Sequence, residues 1–471
     1  MITTPGLQTT VQAQQNLPQM GEPADNALSP QQEKRLGRQF MRQIRAQLPL
    51  IRDTQTNEYL MNLGTRLAAS VRASETREFS FFIIDDLTIN AFAIPGGYIG
   101  VNAGLAQAMQ REEQLAGVIA HEIAHVTQRH HARAYASAGK NRMSTAAAIL
   151  AALLIGSSNP EAGQAALAAG LAISQQSSVN YTRSHEYEAD RIGIGILANA
   201  GLDPAAIAET FEIMRRRNSL NTSSNQIEYL RTHPLDNNRI AEARSRANRM
   251  RKPKHRARQI NFSLFQARLS VLSTNDEAQL QHQYQARWAR DNDTAAGYAL
   301  ALLAAQNNQF EKANDYLQPA IKAYPDNMFI RLLEARLLQA RGKILPSTAL
   351  YEELMSVYPG RYPIVEQYAE HLSGQRKFSE AAAIIKRYQR NTSSPNPLAW
   401  RELANIQEQL GQQSTSHESL ARYFLALDEL GRAKQQLELA LRKTDRGSKD
   451  ELRLSAQLRR ISAELEELQR N

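Results

Sequence analysis

A period of 34 residues in the C-terminal half is the feature that most restricts how this chain can fold. Three kinds of position share the period: a small residue, a bulky apolar residue and a tyrosine–proline pair. They are Ala301, Ala335 and Ala369; Phe310, Ile344 and Phe378; and Tyr324-Pro325 with Tyr358-Pro359. The small residue lets two helices approach closely, and the bulky residue fills the groove between them. We therefore predict stacked pairs of helices.

The repeated unit resembles the tetratricopeptide repeat. The resemblance implies an all-α solenoid over residues 263–471, with surfaces that bind peptides and protein partners. No strand pattern appears beyond about residue 259. A fourth unit around Trp400, Leu403 and Gly411 drifts out of register, and the charged segment 449–470 is expected to cap the solenoid.

Residues 30–250 carry a different pattern, which predicts a mostly helical α+β domain with a small sheet. Helical periodicity runs from residue 30 to 72 and again, with breaks, from 105 to 248. Between these stretches, Pro95-Gly96-Gly97 is a turn signal that separates two of three strand patterns. The strand patterns occupy residues 79–85, 89–94 and 98–101.

Residues 1–29 are rich in Gln, Thr and Pro and are expected to form a disordered tail. The net charge of +9 has a local source in a basic run from Arg244 to Arg258. We interpret this run as a solvated helix end followed by a linker at 251–262. Aromatic residues do not interleave with the cations, which argues against nucleic acid as a partner, whereas contact with anionic lipid at a membrane surface stays open.

No stretch reaches the roughly 18 apolar residues of a membrane span. Residues 146–155 and 165–173 are short and alanine-rich, and we expect buried or interfacial helices there. The N-terminus lacks the basic and apolar regions of a signal peptide. The sequence as written therefore predicts a cytosolic protein or a mature form with an added start methionine.

A His-Glu-x-x-His motif lies in an uninterrupted helical segment at residues 115–126. His121 and His125 are four residues apart, so their imidazoles project from one face of the helix and can bind one Zn²⁺ per chain. Glu122 lies one step around the helix, where it can act as the general base for a water on the metal. The chain contains no cysteine, which leaves imidazole and carboxylate groups as the ligands.

A catalytic zinc ion normally has three protein ligands and one open position. Glu186 and Asp190, also four residues apart on a predicted helix, are the best further candidates. One carboxylate can bind the metal while the other accepts a hydrogen bond from a ligand histidine. We expect His185 to be a surface histidine and Glu188 to be a structural residue.

His233 precedes Pro234, which disfavours helical geometry at the histidine and predicts a loop. Three roles stay open for His233. It can be an ordinary loop histidine, or it can stabilise the oxyanion of the tetrahedral intermediate. It can also be a fourth zinc ligand that keeps the enzyme inactive until the loop moves. In that closed state, residues 146–173 could help to cover the cleft.

These motifs resemble those of the gluzincin metallopeptidases, in which His-Glu-x-x-His is followed by Glu-x-x-x-Asp. Residues 90–97 before the motif and Thr232-His233-Pro234 after it are similar to the family that contains the CAAX prenyl endopeptidases. The resemblance implies a zincin-like fold with assigned ligands and catalytic residues. It assigns zinc to His121, His125 and Glu186, and catalysis to Glu122. The spacing on the helix adds Asp190 to the catalytic residues, as the expected partner of a ligand histidine.

Together with the repeats, the chain resembles periplasmic members of that family from Gram-negative bacteria. The resemblance implies a periplasmic location and misassembled outer-membrane proteins as substrates. It also implies contact with the outer-membrane assembly machinery through the repeats, and a chaperone-like role beside proteolysis. The chain departs from the prenyl endopeptidases in lacking membrane spans, so prenylated substrates are not implied.

The strand pattern before the metal motif suggests how a substrate binds. If residues 89–94 form an edge strand beside the metal, an unfolded substrate could add to the sheet through main-chain hydrogen bonds. Asn90 and Ala91 are then the expected substrate contacts. An ordinary hairpin packed on the helix is the alternative.

The leading hypothesis is a zinc endopeptidase whose repeats recruit substrates or assembly machinery. The alternative is a chaperone or scaffold with a latent peptidase core, which would have no need to keep Glu122. A metal-free acid–base enzyme that uses Glu122 and Glu186 would leave the pair of histidines unexplained.

Overall fold

The computed structural model describes residues 28–71, 78–137, 175–220, 227–251 and 260–470. The predictions for residues 146–155 and 165–173, and for nearly all of the N-terminal tail, lie outside these ranges. The described part is mostly helical with one small sheet, which confirms the predicted fold class. None of the described helices is long and apolar enough to cross a membrane.

The described N-terminal part contains three strands, and the ends of each lie within two residues of those predicted. The strands are β1 (Ser80–Ile84), β2 (Ala91–Ile94) and β3 (Tyr98–Asn102). The described helices of this part are α1 (Pro30–Gln47), α2 (Thr54–Ala68), α3 (Ala103–Ala108), α4 (Glu112–Thr127), α5 (His130–Ser137), α6 (Gln175–Asn199), α7 (Ala206–Leu220), α8 (Glu228–Thr232) and α9 (Asn237–Asn248).

The sheet has the order β1-β3-β2, so β2 is an edge strand. β2 and β3 form an antiparallel hairpin, and β1 runs parallel to β3. The hairpin turns at Gly96 and Gly97, which both have a φ of 85° that side chains disfavour. Asn102 N–H donates to Asn90 C=O. Because ladder hydrogen bonds alternate along an antiparallel pair, the main chains of Ala91 and Ala93 face the outer edge.

α4 crosses the middle of the N-terminal part and is buried along nearly its whole length. Its apolar residues point in all directions, which is typical of a helix surrounded by protein. The elements α2, α6, α7 and β2 pack around it. α6 comes close because Gly193 faces the backbone of α4: a Cβ atom at Gly193 would lie 3.2 Å from His121 N.

The C-terminal part consists of paired helices. They are α10 (Ile260–Ser273), α11 (Glu277–Asp291), α12 (Thr294–Gln306), α13 (Phe310–Ala323), α14 (Met328–Ala340), α15 (Ile344–Val357), α16 (Tyr362–Gly374), α17 (Phe378–Asn391), α18 (Pro397–Gln409), α19 (Gln413–Ala426), α20 (Leu430–Arg442) and α21 (Lys449–Arg470). The first helices of three consecutive pairs begin at Thr294, Met328 and Tyr362, which confirms the period of 34 residues.

The ends of the repeat array differ from its middle. The pair after Tyr362 begins 35 residues later, at Pro397, and this extra residue explains why the fourth unit drifts out of register. α10 and α11 precede the first unit that the period reveals, and α10 begins at Ile260, inside the predicted linker 251–262. α21 packs on α20 as the last helix, in the position of the expected cap.

The paired helices share a hydrophobic core with the N-terminal part. Phe265 of α10 stacks on Tyr59 of α2, with ring centroids 4.5 Å apart. Arg268 Nε donates to Oδ1 of Asp53, the residue that caps α2, over 2.8 Å. The division of the chain near residue 250 stays a prediction, because this core crosses it.

Candidate metal centre

α4 and α6 bring the three predicted ligands together. His121 and His125 lie on α4, with their Nε2 atoms 3.0 Å apart, and Glu186 reaches them from α6. The carboxylate oxygens of Glu186 lie 3.4 Å from each of these nitrogens. His233, just after α8, adds its Nδ1 at 3.1 Å from Glu186 Oε1. The four ligand atoms lie within 4.8 Å of one another, and all four side chains are buried.

Asp190 lies behind His121, outside this group of four. Its Oδ1 is 2.9 Å from His121 Nδ1, so that Nε2 is the nitrogen that faces the other ligands. Arg239 of α9 donates to both carboxylate oxygens of Asp190, over 2.8 and 2.9 Å. Arg239 Nη1 also lies 3.0 Å from Glu186 Oε2. One guanidinium therefore orients both carboxylates of α6.

Glu122 faces the same group of residues and is only 1% exposed. The Tyr229 hydroxyl donates to Glu122 Oε1 over 3.4 Å, and His233 Nε2 is 3.5 Å from the same oxygen. The rings of Tyr229 and His233 stack with their centroids 4.5 Å apart. His233 thus lies between the predicted base and the predicted ligands, and its backbone is non-helical, as Pro234 predicts.

Burial and charge compete in setting the pKa values of these groups. Burial disfavours charged His121, but Asp190 and Glu186 outweigh burial and raise the pKa of His121 to about 10. Burial lowers the pKa of His125 to about 3, and Glu186 offsets only part of that effect. Burial would raise the pKa of Glu186, but the surrounding histidines hold it well below its usual range. The ionised carboxylates therefore favour a cation at this place.

The pKa of Glu122 moves in the opposite direction. Burial raises the pKa of this carboxyl, although His233 and His121 act against the shift. A carboxylate with a raised pKa is a better proton acceptor near neutral pH than an exposed one. Such a shift inside a cluster of charged groups is typical of catalytic sites.

The residues present fit a divalent metal ion. Two imidazoles and a carboxylate with converging donor atoms match the ligand set of catalytic metal sites, and His233 adds a fourth donor. Asp190, 2.9 Å from His121 Nδ1, lies in the place of the outer carboxylate that orients a ligand histidine in such sites.

A further group of side chains lies behind His125. His130 Nδ1 is 2.9 Å from His125 Nδ1, and His130 Nε2 is 3.1 Å from Glu188 Oε2. His185 stacks on His130 with ring centroids 4.2 Å apart and is only 6% exposed. The prediction that His185 is a surface histidine is therefore wrong. Spacing along α6 does not reveal that α5 covers this side of the helix.

Asn90 and Ala91, the predicted substrate contacts, are both buried. The main chain of Asn90 pairs with β3, whereas that of Ala91 faces the outer edge of the sheet. On either side of Ala91, Ile89 C=O accepts from Tyr229 N–H, and the backbone of Ala93 bonds to the His131 ring. A role of Asn90 and Ala91 in substrate binding stays a prediction.

Three buried residues of the site were not predicted from the sequence: Tyr229, Arg239 and His130. The four-residue spacing of Tyr229 and His233 could have indicated a shared face. His130 directly follows the metal motif helix, and a histidine so close to two predicted ligands was a usable signal. Arg239 gave no local signal, because its contacts arise only when α9 packs on α6.

Comparisons with known proteins agree with this arrangement. Residues 54–247 match the sequence profile of peptidase family M48. A beta-barrel assembly-enhancing protease of Escherichia coli strain K12 is 33% identical over 445 residues, which cover 94% of this chain and 90% of that protein. A Vibrio cholerae serotype O1 protein, described as a protease of the same kind, is 36% identical over 400 residues, which cover 84% of this chain and 81% of that protein.

Among solved structures, a tetratricopeptide repeat protein from Parabacteroides merdae covers 61% of this chain, and 96% of that protein is matched. The sequence identity is 15% and the TM-score is 0.28.

Proposed function

We propose a function from the premise that the chain belongs to peptidase family M48 and to the group of the beta-barrel assembly-enhancing proteases. The proposed function is that of a zinc endopeptidase that hydrolyses misassembled outer-membrane proteins in the periplasm. Family membership makes the chain a metallopeptidase. Zinc, the substrate class and the compartment are the proposed parts. The donor set supports zinc, and the description of the relatives supports the substrate class.

The convergence of His121, His125 and Glu186 beside Glu122 is the observation that carries the proposal. The first three side chains would hold one Zn²⁺ per chain. When bound, zinc supplies a Lewis acid that polarises a peptide carbonyl and makes water nucleophilic near neutral pH. Asp190 fixes the tautomer of His121, which keeps Nε2 directed at the site.

Glu122 would accept the proton of the attacking water and return it to the leaving amine. Its buried position keeps competing water away, and its raised pKa makes it a suitable acceptor. The Tyr229 hydroxyl holds one carboxylate oxygen in place. The second oxygen of Glu122 can then take up the proton.

We further propose that the repeat region of residues 263–471 recruits substrates or the assembly machinery, while β2 binds an extended substrate segment. The groove between α15, α16 and α17, lined among others by Met355, Val365 and Tyr388, offers apolar walls for a peptide segment. The edge strand β2 offers the main chain of Ala91, which faces the outer edge and can form hydrogen bonds that depend little on the substrate's sequence. Both features suit unfolded proteins as substrates.

A chaperone or scaffold with a latent peptidase core is the second candidate function. It is favoured by the position of His233, whose Nδ1 lies among the ligand atoms while its Nε2 approaches Glu122. A fourth ligand in that place would exclude the attacking water and hold the peptidase inactive. The two functions are compatible if His233 moves when substrate binds.

The decisive test is Glu122→Gln. Gln keeps the size of the side chain but cannot accept the proton, so we expect casein cleavage to fall by roughly 100-fold or more while zinc content stays at one ion per chain. His121→Ala and His125→Ala should instead lose the metal. Full zinc occupancy in both alanine variants, or substantial cleavage by Glu122→Gln, would contradict the assigned roles.

A further inference from the structure

The two histidines of α4 have different partners on the side away from the ligand cluster. Nδ1 of His121 faces the carboxylate of Asp190 over 2.9 Å. Nδ1 of His125 instead faces another imidazole, the Nδ1 of His130, over 2.9 Å. The pair alone does not determine which of the two Nδ1 atoms donates, because an imidazole can either donate or accept through a given nitrogen.

The protons of this contact are fixed by the outer partner of His130. His130 Nε2 lies 3.1 Å from Glu188 Oε2, and a carboxylate only accepts hydrogen bonds, so Nε2 of His130 carries the proton. Nδ1 of neutral His130 is then an acceptor, and His125 must donate from its own Nδ1. The remaining nitrogen of His125, Nε2, is left with a free lone pair directed at His121 and Glu186.

His130 is held firmly in the position that this chain of hydrogen bonds requires. It opens α5 directly after Arg129, which lies in the short link between α4 and α5 and has a φ of 53°. Such a conformation is uncommon for a residue with a side chain. Arg129 is buried and donates to the C=O of Leu28 over 2.6 Å, which stabilises the turn.

The ring of His130 and its carboxylate partner are also fixed. His185 stacks on His130 with 7° between the ring planes. Arg133, one turn along α5, lies 2.8 Å from the same oxygen of Glu188 that His130 contacts. His185 thus sets the ring plane of His130, Glu188 sets its tautomer, and Arg133 holds the carboxylate of Glu188.

We propose that His130 is a positioning residue of the metal centre, which fixes His125 as the tautomer that binds metal through Nε2. Glu188 is the carboxylate at the outer end of this hydrogen-bonded relay, which consists of His125, His130 and Glu188. This role rests on the proposed function, because it presumes that His125 is a ligand. It gives both histidines of α4 an outer partner, a direct carboxylate for His121 and a carboxylate reached through one imidazole for His125. Contacts of this kind typically contribute about 10–100-fold to metal affinity.

The test compares His130→Phe, which keeps an aromatic ring for stacking but cannot accept, with His130→Gln, which offers an amide oxygen as acceptor. Zn²⁺ affinity of the full chain is measured by competition with a chelator, and the visible absorption of the Co²⁺ form reports on the ligand geometry. We expect His130→Phe to lose about 10–100-fold in Zn²⁺ affinity and to change the Co²⁺ spectrum. His130→Gln should recover a large share of that loss, and Glu188→Gln should show a smaller loss.

His185→Phe is the matched control, because it keeps a ring stacked on His130 and leaves the relay intact. We expect its Zn²⁺ affinity to stay close to that of the wild type. Wild-type affinity in His130→Phe, or an equal loss in His185→Phe, would overturn the proposal. If His130→Phe does not fold, Glu188→Gln decides: a loss of Zn²⁺ affinity relative to the wild type supports the proposal, and wild-type affinity overturns it. Failure of the proposed function would look different, since the wild type itself would then bind no zinc or cleave no casein.

Discussion

Glu186 and Asp190 share Arg239 but lie at different distances from the ligand atoms, and this separates their expected roles. Glu186 contributes a ligand atom to the cluster, whereas Asp190 contacts His121 from behind. We expect Glu186→Gln to weaken Zn²⁺ binding more than Asp190→Asn, whose loss should be about 10–100-fold. Competition with a zinc chelator measures both affinities.

Stability provides a second comparison for the same pair of variants. Asp190 makes a two-fold hydrogen-bonded ion pair with buried Arg239, and removing one partner of such a pair typically costs about 3–5 kcal/mol. The melting temperature of metal-free Asp190→Asn should therefore fall clearly below that of the wild type. If Asp190→Asn lost more zinc affinity than Glu186→Gln, the two roles would have to be exchanged.

Local spacing was sufficient to find the residues that a helix places side by side. His121 and His125, like Glu186 and Asp190, are neighbours because four residues make about one turn. The environment of His185 could not be found in this way, because it depends on the direction in which α5 leaves the turn at Arg129. Contacts set by tertiary packing leave no trace in the spacing of one helix.

The edge strand β2 allows a test of substrate binding that leaves the metal ligands untouched. Proline at position 91 would remove one N–H that faces the outer edge, without breaking the ladder to β3. A main-chain hydrogen bond is worth about 0.5–1.5 kcal/mol, so kcat/KM for an unfolded substrate should fall by roughly 2–10-fold. Ala91→Gly, which keeps the N–H, is the control, and both variants should retain zinc. An unchanged kcat/KM in Ala91→Pro would argue against strand addition at this edge.

The segment after α8 controls access to the site if His233 is a fourth ligand. The proximity of its Nδ1 to Glu186 and His121 favours this role over that of an ordinary loop histidine. We expect His233→Ala to cleave casein faster than the wild type at equal zinc occupancy. A site that is closed in about 90% of molecules would gain roughly tenfold. Slower cleavage would instead support stabilisation of the oxyanion.

The repeat array shows how far a periodic pattern predicts an element. Positions that share the 34-residue period begin helices at the expected places, because each unit packs against the next in the same way. The period does not reveal α10 and α11, because α10 packs against α2 and α3 of the N-terminal part instead of a preceding repeat, and α11 packs on α12. The residues of α10 fit its contact with the N-terminal part and do not show the repeat pattern.

At the scale of the whole molecule, the described residues form one continuous hydrophobic core from α4 and α6 to α14. The sequence suggests a break near residue 250, because the basic run and the change in pattern coincide there. Composition cannot show that Phe265 fills a space beside Tyr59, nor that Phe329 of α14 lies 6.3 Å from the same ring. The contact changes what a truncated chain is expected to do.

A boundary near residue 250 would let a chain that ends at Asn261 fold alone, but the shared core predicts the opposite. This cut removes nearly all of α10, including Phe262, Phe265 and Leu269, which are each at most 1% exposed. Loss of a buried side chain of this size costs about 2–5 kcal/mol, so three losses together approach the whole stability of a typical domain. The cut also leaves Asp53 without Arg268. We expect this chain to be insoluble or to melt without cooperativity.

A chain that ends at Val357 is the matched comparison, because it keeps α10 to α15 and therefore the shared core. It loses contacts such as the pair of Arg361 with Glu58, and partly exposed pairs are worth about 1 kcal/mol or less. It should melt cooperatively and bind one Zn²⁺, but lose action on physiological substrates if the later repeats recruit them. Circular dichroism melting and zinc analysis of both chains show whether the N-terminal part needs α10 to fold and to bind zinc. A chain ending at Asn261 that melts cooperatively and binds zinc like the wild type would mean that the N-terminal part is stable without α10.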